Sequence, residues 1–511
     1  MKINKYSYLL IWPVLWSLFL LAGLKSLDPD FGWHLTMGRY ILAHGIPRTD
    51  PFSYTMPSFP FVDHEWLTNV MWGLWYPFWG MTGMAILYAT MTVAALMVAI
   101  PKKLWKWSVI PLLLGAGALV TRGGVRPQIG DWLFLAVLLR LVETGIWKRW
   151  KWATVGLFWL WANLHGGFAL GPAVLGVYLA AKCIWERRVN SSDVLVWILA
   201  TGATVINPYG IRLWGEVVLQ MTDTNLKQYI QEWLPFYTYL ELGFWLLAAI
   251  LVALQTKIKK IPDIPRQVIL GCLLLAALTS LRHVPLFIIA TIPVVGELWY
   301  EFHRLVRKAP EAEKRWKLFN KILVTVCVLE LVAEIGGQTW RLATNRGGIA
   351  YPTAAISFLK TQNYQGNLFS NYAWGGYLIW NYPDKKVFID GRMPSWRWPN
   401  IALWGDAWGK SAPQGESAWA FKDYMKVALD GQWQEIFRKY HITSVLWNKV
   451  NLVGDQRGLI NLKNVGWLGF LRNKSGGQKP KNFLDELVKN GWKKVYTDKV
   501  AEIYVSPPNT N

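Results

Sequence analysis

The sequence predicts a polytopic α-helical membrane protein that carries a C-terminal α/β domain on the outer side. Three observations lead there. Of 511 residues, 53% are hydrophobic and only 17% are charged, too apolar for the several soluble domains that such a length would otherwise hold. Apolar runs of roughly 17–20 residues, the length of helix that spans a bilayer, recur from the N-terminus to about residue 337. Beyond that point the runs become short and alternate with Gly, Pro and Asn turns, as in a small α/β domain.

Eleven spans are expected, near 6–25, 83–100, 107–121, 127–145, 152–164, 167–183, 193–207, 239–255, 267–281, 284–299 and 319–337. The first follows Lys2 and Lys5 and could be taken for a secretion signal. Its apolar core is too long for one and lacks a small-x-small cleavage site, so it is expected to remain as an anchor. Basic residues set the orientation. With the N-terminus inside, 22 Lys and Arg fall in cytoplasmic clusters and eight in the outer loops ahead of the tail, as the positive-inside rule requires. Counting the apolar stretch 65–80 as a twelfth crossing would throw the clusters at 102–106, 148–151 and 182–188 outside. That stretch is therefore expected to lie along the outer face as an amphipathic helix.

The expected organisation is a transmembrane domain over 1–337, with a first outer loop at 26–82 holding juxtamembrane helices, and a soluble extracytoplasmic domain over 338–511. In the tail a helical stretch at 353–360 precedes apolar runs at 367–370, 377–380, 386–389, 444–447 and 501–505. The net charge of +22 does not indicate nucleic acid, because the basic residues sit in short clusters between spans. The three cysteines, Cys183, Cys272 and Cys327, all lie in apolar stretches, so the tail has no disulfide and the chain no CxxC motif.

This topology sorts uncommon residues onto one side. The first outer loop carries Asp28-Pro-Asp30, Trp33-His34, Asp50-Pro51 and Asp63-His64-Glu65-Trp66; the second carries Arg122-Gly-Gly-Val-Arg126-Pro-Gln128. Later outer turns carry Asn163-Leu-His165-Gly-Gly, Asn207-Pro-Tyr-Gly with Arg212, Glu232-Trp233 and Arg282-His283. Ionisable groups at membrane depth are costly and tend to line polar cavities, so a cavity that opens outward is expected. Each element also has a plainer reading. Asp28-Pro-Asp30 serves equally as a helix stop, Asp63-His64-Glu65 as a capped helix start, and Arg122 and Arg126 as contacts to lipid phosphates. Asn207-Pro-Tyr-Gly reads as a turn, and His165 beside two glycines as close helix packing.

The pattern D-x-D-x-x-W-H-L-x-x-G-x-x-I-L-x-x-G-x-P-x-x-D-P-F-S, read from Asp28 to Ser53 with small departures in spacing, resembles the GT-C superfamily of integral-membrane glycosyltransferases, in a bacterial branch. In the tail, Ser370-Asn-Tyr-Ala-Trp374-Gly-Gly-Tyr377-Leu-Ile-Trp380 followed by Val387-Phe-Ile-Asp-Gly-Arg392 is similar to the region where oligosaccharyltransferase catalytic subunits carry their W-W-D-Y-G acceptor motif, although the motif aspartate is missing. The resemblance implies transfer of a sugar from a polyprenyl-phosphate or polyprenyl-diphosphate carrier to an envelope glycan, lipid or protein, at the outer face of the inner (plasma) membrane. It implies catalytic carboxylates at Asp28, Asp30 and Glu65. Arg122, Arg126, Arg212 and Arg282 would clamp the leaving phosphate, with His34, His64, His165 and His283 adding hydrogen bonds, Asp63 orienting the acceptor, and Trp374 and Tyr377 contacting it. A metal stays open, because members differ: Asp28, Asp30 and Glu65 would offer oxygen ligands to Mg²⁺ or Mn²⁺.

Two other functions are compatible with the composition. A transporter or flippase would show internal repeats and charges near mid-span, with access from both faces. The uncommon residues here favour one face and no repeat is visible, although Glu330 and Glu334 fall in the last span. An envelope assembly scaffold would place its work in the tail, so that deleting the tail would remove everything. The chain contains no GxSxG or HExxH, which argues against a hydrolase.

Overall fold

A computed structural model describes residues 7–25, 27–143, 146–258, 263–344, 350–362, 364–398, 411–449, 460–461 and 483–507. Every expected span coincides with a helix. In chain order these are Ile11–Lys25, the later part of Trp66–Ala99, Val109–Val120, Ile129–Leu141, Ala153–Leu164, Leu170–Glu186, Ser191–Ala203, Leu242–Lys257, Ile264–Thr279, Val284–Val306 and Pro310–Thr344. Among the described residues five stretches are long and apolar enough to cross a membrane: Tyr8–Lys25, Trp66–Ala99, Lys102–Val120, Gly166–Glu186 and Leu281–Val306. Four further apolar helices are shorter. The chain is thus a helical membrane protein with a small C-terminal sheet.

Local chemistry sets the helix starts. Asn190 accepts the backbone N–H of Ser192 at 3.1 Å to open Ser191–Ala203, and Asp263 accepts that of Arg266 ahead of Pro265 in the first turn of Ile264–Thr279, both ordinary N-terminal caps. Within Trp66–Ala99 the backbone leaves helical geometry at Gly80 (φ 55°, ψ −164°), a conformation that glycine adopts without steric penalty. The break separates the stretch 65–80, expected as a distinct helix, from the span after it.

The tail holds a four-stranded sheet: β1 (Asn367–Ser370), β2 (Ile442–Asn448), β3 (Lys493–Thr497) and β4 (Ala501–Val505), in the order β1-β2-β4-β3. β1 and β2 are parallel, with Ser370 opposite Leu446, and the other two pairings are antiparallel. Three of the apolar runs are strands, and two are not. The run at 377–380 belongs to the helix Gly375–Asn381, because Asn371 caps a tight turn at Tyr372–Trp374 that leads directly into it. The run at 386–389 is extended but pairs with the first loop instead of the sheet, through a parallel bridge between Ser53 and Val387. β3, with its exposed lysines, carries too little apolar periodicity to stand out in sequence.

Two apolar cores result. The larger unites the membrane helices. The smaller joins Leu368, Phe369, Trp374, Phe388, Val445 and Ile503 of the tail to Trp33, Met37, Ile41, Met56, Phe59 and Phe61 of the first outer loop. That loop is therefore built into the tail's core. Two glycines allow the closest approach. A Cβ on Gly32 would lie 2.1 Å from the carbonyl oxygen of Gly376, and one on Gly376 would lie 2.3 Å from that of Pro29. Both obstacles are backbone and cannot rotate away. Gly32→Ala is expected to cost about 1–3 kcal/mol as an overpacked contact, read as a lowered thermal midpoint in detergent, whereas Gly156→Ala, where nothing lies within 4 Å, should change nothing.

Candidate active site

The loop 27–30 enters the helix Phe31–His44, and the carboxylates at its mouth have different surroundings. Asp28 Oδ1 accepts the Asp30 N–H at 2.9 Å, and its other oxygen pairs with Arg126 Nε. Asp30 forms no ion pair among the described residues. A Cβ on Gly391 would meet its carboxyl oxygen, so the tail closes over it only because that position is glycine. Burial, then the adjacent Asp28 charge, pushes the Asp30 carboxyl well above the ordinary carboxylate range, the kind of perturbation that collects at functional sites.

Behind this pair lies a buried network. Glu65, only 5% exposed, has His165 Nε2 at 2.8 Å, His34 Nδ1 at 3.2 Å and His64 Nε2 at 3.8 Å. His165 Nδ1 in turn lies 2.8 Å from Asp131 Oδ2, and the Trp161 indole donates to Asp131 Oδ1 at 2.6 Å. The imidazoles divide the charge. Burial lowers His34 and takes His64 down to about 4. In His165 the same burial is outweighed by Asp131 and Glu65, which raise it to about 9. The two carboxylates thus favour the charged form of His165, whose Nδ1 also lies 3.0 Å from the Gly167 N–H, and Glu65, despite its burial, is held ionised by the imidazoles around it.

A folded-state value of about 9 against 6.5 means that His165 contributes stability that is fully present below pH 6.5 and is lost as the pH rises through 9. The thermal midpoint is expected to fall across that window. His165→Gln should flatten the fall, and an unchanged slope in that variant would rule out His165 as its source.

Two cavities, of about 420 and 340 Å³, share part of their walls. The larger is mostly apolar and runs among Leu170, Ala173, Val217, Leu273, Ala276 and Leu286. The smaller holds Asp28, Asp30, His34 and Glu65 on one side and Tyr372, Gly391, Arg392 and Ser395 of the tail on the other. His64, Arg126, Gln128, Gln220, Gln231, Glu232, Trp233 and Arg282 line both.

The expected site residues divide accordingly. Asp28, Asp30, His34, His64, Glu65, Arg122, Arg126, Arg282 and His283 all line one cavity or both. Beyond the contacts of Asp28 and Glu65 given above, three of these have further engagements. Arg126 also pairs with Glu232, and Arg122 Nη1 donates to Glu241 at 3.1 Å. His283 Nδ1 meets the Ala276 carbonyl at 3.3 Å.

Others lie elsewhere. Arg212 lines neither cavity. Asp63 is 1% exposed and braces the loop, accepting the Glu65 N–H at 3.1 Å and both Asn69 Nδ2 contacts at 3.0 and 2.9 Å. Burial raises it to about 7. Trp374 and Tyr377, expected to contact the acceptor, are core residues. The capped turn points Trp374 inward, where its indole donates to the Ala350 carbonyl at 3.0 Å, and Tyr377 bonds Thr353 at 2.8 Å. Their neighbours Tyr372 and Ala373 face the cavity instead. Nor do Asp28, Asp30 and Glu65 form a shared ligand set. Among the described residues no three His, Cys, Asp or Glu side chains group so as to hold a metal ion, because Asp28 turns to Arg126 and Glu65 to the histidines.

Sequence reasoning singled out Gln128 within the second outer loop but did not find Asp131, Gln220 or Gln231. Asp131 had a signal, a carboxylate near the start of an apolar span; Gln220 and Gln231 had none. Glu232 was visible only as one more acidic residue on the outer side.

The fold is similar to that of solved structures. A crystal structure of the Archaeoglobus fulgidus oligosaccharyltransferase in the apo form matches 87% of this chain and 70% of that one, with a TM-score of 0.51 and 11% identity. That protein is a GT-C glycosyltransferase, and the present chain has a distant GT-C-like fold. Two further structures match with lower TM-scores. The same oligosaccharyltransferase tethered to an acceptor peptide gives 0.49 at 12% identity over 87% of this chain and 69% of that one. ArnT from Cupriavidus metallidurans bound to undecaprenyl phosphate gives 0.48 at 12% identity over 98% of both chains. No family model and no curated protein matches the sequence.

Proposed function

We propose that the chain is a membrane glycosyltransferase that moves a sugar from a polyprenyl-phosphate or polyprenyl-diphosphate carrier to an envelope glycan, lipid or protein. In this reading the basic clusters keep the N-terminus inside, and eleven crossings would then carry the tail to the extracytoplasmic face of the inner membrane. The observation that carries the reading is the pair of abutting cavities, one apolar and one lined by carboxylates, with Arg282 in both walls. A lipid carrier fills the apolar one, its phosphate lies at the shared wall, and the sugar projects toward Asp30.

Transfer is a displacement at the anomeric carbon. The acceptor O–H gives its proton to Asp30, the acceptor oxygen bonds to the anomeric carbon, and the carbon–oxygen bond to phosphate breaks with its electron pair going to phosphate. That oxygen needs no acid, and the guanidinium of Arg282 meets its growing charge. The Glu65–His165 pair stays behind the reacting groups and holds the loop that carries His64. A divalent cation is not needed for any of these roles.

The test is binding of a panel of polyprenyl-phosphate and polyprenyl-diphosphate sugars to the full chain in nanodiscs, followed by transfer to added acceptors. A carrier should bind, and Arg282→Ala should weaken it. If no carrier binds, the donor reading fails and transport or scaffolding takes its place.

A further inference from the structure

The charges on the cavity walls bear on what kind of carrier fits. Among the described residues Arg282 is the one wall arginine that forms no ion pair with a carboxylate, although its charge, after that of Arg126, helps to hold Glu232 low. Arg126 is shared by Asp28 and Glu232, Arg122 lies 3.1 Å from Glu241, and Arg392 sits between Asp390 and Asp50. No lysine lines either cavity. Burial lowers His34 and His64, and Nδ1 of His283 is spent on the Ala276 carbonyl. Arg282 forms no side-chain hydrogen bond or ion pair among the described residues; its guanidinium stacks over Trp233, 5.3 Å from the ring centroid.

Resting on the transferase reading above, we infer that the donor is a polyprenyl monophosphate sugar, with one phosphate joining lipid to sugar, and that Arg282 binds that phosphate. The phosphodiester brings one negative charge. When the anomeric carbon–oxygen bond breaks, the electron pair stays on the phosphate, which then carries a second. One unpaired guanidinium can meet this, bidentate to two phosphate oxygens. Arg122 Nη2 adds a donor without adding net charge, since it is buried, has no hydrogen-bond partner and belongs to a residue of the apolar cavity's wall.

A diphosphate would bring two charges before reaction and a third after it. The extra charge would lie among Asp28, Glu65, Glu232 and Asp30 with no cation left for it, and an unpaired buried charge is strongly disfavoured. Of the three carboxylates that would seat a divalent ion beside a diphosphate, Asp28 is taken by Arg126 and Glu65 by His165, which leaves Asp30 alone.

The experiment compares polyprenyl monophosphate with polyprenyl diphosphate of equal chain length, as competitors for the full chain in nanodiscs, in EDTA and again in magnesium. The monophosphate is expected to bind about tenfold more tightly or better in both buffers, and Arg282→Ala to lose about tenfold for it, as expected for removing one charge-assisted contact. Arg282→Lys should recover part of that loss, since it keeps the charge but not the fork. Equal or tighter binding of the diphosphate in either buffer overturns the inference while leaving the transferase reading intact. Binding of neither lipid overturns both. Monophosphate preference that survives Arg282→Ala unchanged overturns the assignment to Arg282. The lipid comparison is made on the unaltered chain, so it stands even if a variant fails to fold.

Discussion

Replacing Asp30 by asparagine is expected to cut sugar transfer about 10²–10⁴-fold, the usual contribution of a positioned general base, while carrier binding is retained. The structure separates the two acidic residues that the sequence presents as a pair. Asp28 spends its carboxylate on Arg126 and on the Asp30 N–H, so Asp28→Asn should loosen the loop and lower the rate less. Asp30 makes no ion pair among the described residues and faces the smaller cavity.

The pH profile gives a second check. Because burial and Asp28 raise the Asp30 carboxyl, the group is protonated below its raised value and available as a base above it. The transfer rate should therefore climb with pH through that value. An Asp30→Asn variant with unaltered turnover, or a rate that does not depend on pH on the acid side, would remove Asp30 from this role.

The second large effect is on stability. Arg392 Nε and Nη2 donate to the two oxygens of Asp390 at 2.8 and 2.7 Å, and Nη2 lies 2.9 Å from Asp50 Oδ1. Asp390 is fully buried and Asp50 is 2% exposed. The guanidinium is walled by Trp33, Phe52, Phe61 and Trp396, with ring centroids 5.1–5.7 Å away. Arg392→Ala leaves two buried carboxylates with no cation, and breaking such a set by removing one partner costs about 3–5 kcal/mol. The expected result is a lower thermal midpoint and protease cleavage between first loop and tail. Replacing Asp50, Asp390 and Arg392 together by apolar residues of similar volume should recover much of the loss. If the single variant is as stable as the parent, the triad does not hold loop and tail together.

This triad also accounts for two sequence motifs that look unrelated. Asp50-Pro-Phe-Ser53 and Val387-Phe-Ile-Asp390 are two halves of one interface. The Tyr54 N–H donates to the Val387 carbonyl at 3.1 Å, the Val387 N–H to the Phe52 carbonyl at 3.0 Å, and the Thr55 hydroxyl to the Phe388 carbonyl at 2.7 Å. Each motif was legible as unusual, but their meeting was not, because a pairing across more than 300 residues leaves no periodic trace in either segment.

The helical plan was readable because bilayer-length apolar runs are a local property, and each expected span coincides with a helix. The acidic pair, the outer-face histidines and Arg282 could be singled out for the same reason: an ionisable residue beside an apolar run stands out on its own. Only the tertiary structure decided which charges are already met. Arg126 and Arg282 look alike in sequence, yet one is held by Asp28 and Glu232 and the other stacks on Trp233. Trp374 and Tyr377 likewise look like recognition residues until a capped turn buries them. The physical reason is one of range. Hydrophobic burial adds up along a segment and shows in its composition, whereas a charge's availability depends on partners that distant segments bring within a few ångströms.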